Sequence, residues 1–163
     1  MYTGFPNVQD PGNKFKIPHD GNGSGIAWAK IDDLGEATAS LIRLCYENRG
    51  RTEYANQTIM LSGPRSYNLN ESVEILSQAY GKTIVIEEVD VAEYVIDTAV
   101  QEALKPYGEG DVPRKWATSF EAIKKGEATR TSGRLKDLLG RDPESFETTV
   151  NNMVQKVRGG KYM

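Results

Sequence analysis

One histidine and one cysteine among 163 residues remove several kinds of chemistry at the outset. A lone His19 cannot build a histidine metal cluster, and no Gly-x-Ser-x-Gly turn accompanies it to carry the nucleophile of a Ser-His-Asp triad. Set between Pro18 and Asp20, it reads as a loop residue; the alternative role, beside a Gly-rich turn, is a ligand contact. Cys45 cannot close an internal disulfide. It falls on a core-facing helical position and reads as a small buried apolar residue in a reducing compartment. No apolar run approaches the ~20 residues of a membrane span. The opening Met-Tyr-Thr-Gly-Phe-Pro lacks the basic and apolar regions of a signal peptide. Charge of one sign is lacking too: 20 Lys and Arg against 23 Asp and Glu give −3, which offers no general attraction to phosphate backbones or anionic lipid. The expectation is a soluble, cytoplasmic protein with neither nucleic acid nor membrane as a partner.

Cofactor fingerprints are missing as well. Gly21-x-Gly23-x-Gly25 has Ile26 where a third glycine of Gly-x-Gly-x-x-Gly belongs. It also precedes a strand, whereas a dinucleotide loop follows a strand and opens a helix. In Gly63-Pro64-Arg65 the proline removes a backbone donor, which makes a poor anion cradle. Tyr-x-x-x-Lys, the acid–base pair of many short-chain dehydrogenases, is absent after every tyrosine. Glu87 and Glu88 are neighbours on a strand and point to opposite faces; Asp32 and Asp33 suit a helix start. No catalytic residue, no cofactor-binding residue and no metal ligand is assigned within the chain.

What is present is a pattern of alternating elements. Residues 1–25 form a loop-rich segment in which only 14–17 reads as a short strand, and 20–25 as a Gly/Asn turn. Residues 26–31 alternate Ile26, Trp28 and Lys30 against Ala27, Ala29 and Ile31, which predicts a strand. A helix follows, with Asp33 at its N-cap and Leu34, Ala37, Leu41, Leu44 and Cys45 as its apolar stripe. Thr58-Ile59-Met60-Leu61, a Ser62-Gly63-Pro64 turn, a helix from Asn68 to Tyr80, a Gly81 stop and a strand over 83–88 together read as a βαβ unit, the signature of a parallel sheet. A helix opened by Asp90 and Glu93 must stop before Pro106. A Gly-rich loop over 107–111 leads to a helix started by Pro113. A short Leu135-Leu138-Leu139 turn closes at Gly140. A last helix, opened by Asp142-Pro143, buries Phe146, Val150, Met153, Val154 and Val157 and ends in a frayed tail. The aromatic trio Tyr107, Trp116 and Phe120 is either core packing of the C-terminal helices or the wall of an apolar substrate cleft.

Three segments combine into a resemblance. "GNGSGIAWAKIDDLGEA" (21–37), "TIMLSGPRSYNLNESVEILSQAYGK" (58–82) and "LLGRDPESFE" (138–147) resemble, in order and spacing, the late strand, Gly-Pro turn and final-helix signature of NmrA-like atypical short-chain dehydrogenases. The resemblance covers nearly everything from Asp20 onward. It implies an α/β chain, the C-terminal part of a Rossmann-type fold, with a few strands and about five helices; residues 26–163 would be the substrate-side lobe. It further implies that NAD(P)H serves the whole protein but does not bind this chain alone, and that a small molecule such as a quinone or conjugated carbonyl is the substrate. Partners would be an N-terminal nucleotide-binding half or further copies of the chain. By the same resemblance Asp33 matches a helix-starting acid, and Trp116 and Phe120 lie in the region that covers substrate. Some NmrA-like proteins are non-catalytic regulators that sense dinucleotide, the alternative reading.

Overall fold

The computed structural model describes residues 12–108 and 110–159. Residues 1–11 of the loop-rich 1–25 segment, position 109 of the Gly-rich loop and the tail from 160 lie outside the described residues.

Strand β1 (Lys14–Ile17) turns Phe15 and Ile17 inward, 3% and 0% exposed, and Lys14 and Lys16 outward. It lies parallel to β2 (Val85–Glu88), Phe15 opposite Ile86 and Ile17 opposite Glu88. Glu87 pairs with Lys14, and Lys16 reaches Glu93 at 2.8 Å. The parallel partner of residues 85–88 is therefore β1, drawn from the loop-rich segment. The predicted first strand of the βαβ unit, residues 58–61, forms no strand among the described residues, and the predicted strand 26–31 is reduced to one antiparallel bridge between Ile26 and Tyr67. A local alternation sets which side chains point inward, but a ladder also needs a neighbouring backbone, and the described residues supply none for 58–61.

The helices follow local signals more closely. Helix α1 (Ile31–Glu47) starts two residues ahead of the expected cap: Lys30 is the N-cap, without a side-chain bond, and Asp33 lies inside the first turn. Helix α2 (Leu69–Tyr80) opens with a complete capping box between Asn68 and Glu71 and stops at left-handed Gly81, as its sequence requires. The segment expected as one helix up to Pro106 is two, α3 (Val91–Ile96) and α4 (Thr98–Leu104). Asp97 takes extended backbone, ends the first and caps the second through Ala99 and Val100 N–H. A 3-10 turn, Lys105–Tyr107, leads through the loop to α5 (Val112–Lys124). The leucine-rich turn is the short helix α6 (Arg134–Leu139), closed by left-handed Gly140. Helix α7 (Phe146–Arg158) is capped by Ser145 rather than opened at Asp142. The Asp97 break and the helical leucine turn raise the expected five helices to seven among the described residues.

Two apolar clusters organise the molecule. The larger joins β1, α2, α3, α4, α5 and α7 through Ile17, Leu76, Tyr94, Phe120, Val150 and others. The smaller packs α1 on α6 around Ala37, Leu135 and Leu138, with Leu34, Leu41, Leu44, Tyr54 and Leu61 only partly covered. No described helix is long and apolar enough to cross a membrane.

Candidate functional site

Residues 26–30 run beside the turn at 62–63, and the contact is close. Gly63 N–H donates to the Ala27 carbonyl, and a Cβ on Gly63 would lie 1.8 Å from the Trp28 carbonyl oxygen. Glycine is required there for backbone to approach backbone. This clamp fixes Trp28. Its indole N–H donates to Ser72 Oγ at 3.0 Å, and its ring stacks on Phe146 with centroids 5.4 Å apart. Phe146 in turn tilts against Tyr67, whose hydroxyl donates to Glu147 at 2.8 Å.

Two residues beyond Trp28, on the same side of the segment, Lys30 donates to Glu144 at 2.8 Å. Glu144 also accepts from Thr149 at 2.8 Å, and its own N–H donates to Asp33 Oδ2 at 2.7 Å. Asp33 is buried; its other oxygen takes Arg141 at 2.9 Å. The acid read as an N-cap is thus the anchor that holds the chain before α7 onto α1. Glu144 raises the Lys30 pKa, and Lys30 holds the Glu144 carboxyl below the usual range. Both are charged at neutral pH, so the pair can orient a polar group but has no proton poised to move.

These residues enclose a cavity of about 580 Å³ between segment 28–32 and α7, with Trp28, Phe146 and Met153 as its apolar floor and Lys30, Glu144 and Asn152 among its polar walls. Its size and mix of walls suit a small planar molecule. Sequence reasoning missed it. The signal was the alternation Ile26–Trp28–Lys30, which set a tryptophan and a lysine on one face, but Phe146 and Glu144, which complete the cavity with them, lie more than a hundred residues away.

The aromatic trio lies elsewhere. Tyr107 and Trp116 stack on each other, centroids 6.0 Å apart, with Tyr107 exposed and Trp116 half-buried. Phe120 is 3% exposed and meets Tyr94 edge-on at 5.6 Å. The structure brings two of the three together at the surface and puts the third in the core. His19 is fully buried; its Nδ1 accepts the Gly21 N–H at 2.9 Å, and burial lowers its pKa.

The loop glycines Gly21, Gly25 and Gly63 are taken up by packing of the chain itself. Gly21 packs against Asn70 and Ile86, Gly25 against the Tyr67 backbone and Gly63 against Trp28; of these loop glycines only Gly23 faces open space. Their missing side chains make room for the chain itself rather than for phosphate.

Comparison with solved structures agrees with this arrangement. The triphenylmethane reductase of Citrobacter sp., solved with NADP(H), has a TM-score of 0.63 and 24% identity over 86% of this chain and 44% of its own. The NADPH-dependent quinone oxidoreductase of Escherichia coli gives 0.64 and 20%, over 86% and 46%. A nucleoside-diphosphate-sugar epimerase of Staphylococcus aureus gives 0.62 and 20%, over 83% and 43%. Prestalk A differentiation protein A of Dictyostelium discoideum is 26% identical over 137 residues, 82% of this chain and 40% of that protein. No protein-family model matches. The chain spans less than half the length of each of these proteins. It has the α/β fold of one half of a Rossmann-like reductase, consistent with the C-terminal half that the NmrA-like resemblance implies.

Proposed function

We propose that this chain is the substrate-side half of an NAD(P)H-dependent oxidoreductase that reduces a quinone or similar conjugated carbonyl, and that it is inactive alone. The observation that carries the reading is the match to less than half of each of several reductase and epimerase chains, two of them solved with NADP(H) or NADPH, by a chain whose loop glycines Gly21, Gly25 and Gly63 pack against its own residues. The cofactor supplies hydride when bound by the whole protein. This chain's contribution is binding: Trp28 and Phe146 offer a flat apolar wall, and Lys30 and Glu144 orient a polar substituent. Tyr107 and Trp116, backed by Phe120, form a second apolar cover for the substrate.

The test is NADPH titration of the chain alone and of a chimera. The chimera joins the part of the E. coli quinone oxidoreductase that this chain does not match to the full chain. The chain alone should bind no NADPH, and the chimera should bind it and reduce a quinone. In the chimera, Trp28→Ala or Trp116→Ala should raise KM about tenfold. NADPH binding by the chain alone would overturn the reading, and unchanged KM in both variants would remove the substrate assignments. A non-catalytic regulator is the second reading, favoured by the Dictyostelium relative, whose name denotes differentiation rather than a reaction. It predicts a chimera that binds NADPH without turnover of any acceptor.

A further inference from the structure

His19 lies fully buried at the start of the turn that leads from β1 to segment 26–30, and its ring has two partners within reach. Nδ1 accepts the Gly21 N–H at 2.9 Å and lies 3.3 Å from Asp20 Oδ1. A ring nitrogen that accepts carries no proton, so the neutral ring uses the first partner and only a protonated ring can use the second. The Gly21 N–H and the Asp20 carbonyl are the two ends of one peptide unit, and the carbonyl end accepts from the Asn70 side chain at 3.3 Å. Asn70 also donates its backbone N–H to the Gly21 carbonyl and its side-chain amide to Asn22 Oδ1 at 2.9 Å. The ring thus holds the turn against the first turn of α2. Gly21, at φ +85°, sits where any side chain would collide with Asn70 and Ile86, and as a glycine it lets its peptide unit rotate at little cost. Both ends of the turn are fixed separately: Val89 N–H donates to Ile17, and Ile26 exchanges two backbone bonds with Tyr67.

We propose that His19 is a pH-operated latch for residues 19–24: the neutral ring keeps the turn closed on α2, and a proton taken from solvent onto Nδ1 turns the ring to Asp20, expels the Gly21 N–H and rotates the 20–21 peptide away from Asn70. Two donors cannot face each other at 2.9 Å, and Nε2 has no hydrogen-bond partner among the described residues to compensate. The half-exposed Asp20 carboxylate is already in place to receive the charged ring. Charged groups act on the ring from the turn itself (Asp20), from β2 (Glu88) and from α5 (Glu121 and Lys124). The three carboxylates favour the proton and Lys124 opposes it. Burial opposes it most, so the latch is closed at neutral pH and opens below the ordinary 6.5. This device belongs to the turn and α2, and it holds whatever the cavity beyond segment 26–30 binds.

NMR of the full chain between about pH 8 and about pH 5 tests it. At the upper end the ring should be the Nε2–H tautomer. On acidification the Gly21 and Asn70 amide signals should shift with the midpoint of the ring. Gly21 exchange, corrected for its intrinsic pH dependence, should quicken about tenfold or more relative to Leu76 in the middle of α2. Asp20→Asn removes the receiving charge and should lower the midpoint by about half a pH unit or more. His19→Gln keeps an acceptor without a titrating proton, and should hold the Gly21 and Asn70 signals constant over the whole range; if that variant does not fold, the Asp20→Asn shift decides. A ring titration that leaves Gly21 and Asn70 unmoved, an Nδ1–H tautomer at high pH, a ring that stays neutral throughout or an unchanged midpoint in Asp20→Asn would overturn the proposal. So would loss of protection at Leu76 together with Gly21, because the proton would then unfold the molecule rather than open the turn.

Discussion

His19 shows how one residue acquires a role its sequence neighbours did not announce. Its Nδ1 accepts the Gly21 N–H, so the proton of the neutral ring sits on Nε2, which is buried without a hydrogen-bond partner among the described residues. Burial, the largest influence, pushes its pKa below the ordinary 6.5; the charges of Asp20, Glu88 and Glu121 pull the other way and Lys124 adds to the lowering. Because the unfolded chain binds this proton at higher pH than the folded one, stability should be full above about pH 7. It should decline as pH drops through 6.5, by at most about 1.4 kcal/mol per pH unit. Urea midpoints at pH 7.5, 6.5 and 5.5 should show the fall, and His19→Gln should flatten it; the same fall in that variant would clear His19 of responsibility. Two glycines make the opposite point about context. Gly63→Ala would drive a Cβ into the Trp28 carbonyl, and backbone on both sides cannot yield, so a loss of about 3 kcal/mol or more is expected. Gly35 sits exposed inside α1 with nothing within 4 Å of an added Cβ, and Gly35→Ala should stabilise by about 0.5–1 kcal/mol. Paired denaturation curves for the two alanine variants check both signs.

Among the elements, helices were legible and sheet pairing was not. Asn68, Glu71 and Gly81 mark both ends of α2 within fourteen residues of chain, and the structure uses all three. Asp97 was passed over because nothing in its neighbourhood breaks a helix by composition; it acts by taking extended backbone and accepting two N–H groups at the start of α4. Asp97→Ala should therefore cost about 1 kcal/mol and weaken the packing of α3 on α5 that buries Tyr94. A helical far-UV signal that grows in this variant would instead mean that α3 and α4 fuse into the single helix the sequence suggested. Pairing of β1 with β2 was illegible for a different reason. β1 alternates and so does 58–61, whereas β2 (Val-Ile-Glu-Glu) does not, and the choice of partner depends on contacts about seventy residues apart. The cavity was hidden in the same way, since Trp28 and Phe146 each look like an ordinary core residue until the fold stacks them. Asp33 suits an N-cap by sequence, yet its partners Arg141 and Glu144 make it a tie between two elements.

At the scale of the molecule, the two apolar clusters are unequal, and this sets an order of opening. Of the seventeen residues of α1 only Asp33 and Ala37 are buried, whereas α7 buries five residues, among them Val150 and Val154, and α2 buries four, including Leu76. Each fully buried aliphatic side chain contributes about 1.5–3 kcal/mol relative to an exposed one, so the layer of α1, α6 and segment 58–61 holds far less of the folding free energy than the layer built on α2, α5 and α7. Native-state hydrogen exchange at low urea should then resolve two units. Amides of α1 and α6 should open together with a shallow urea dependence, well below the free energy of global unfolding. Those in the middle of α2 and α7 should open only with the whole molecule. Leu138→Ala should lower the first free energy by about 2–3 kcal/mol and leave the second nearly unchanged. If the α1 layer is unfinished because a further α/β half normally covers it, joining that half should raise its opening free energy toward the global value. A single exchange isotherm for every helix in the chain alone would mean that the small cluster is already complete, and the case for a missing cover would fall with it.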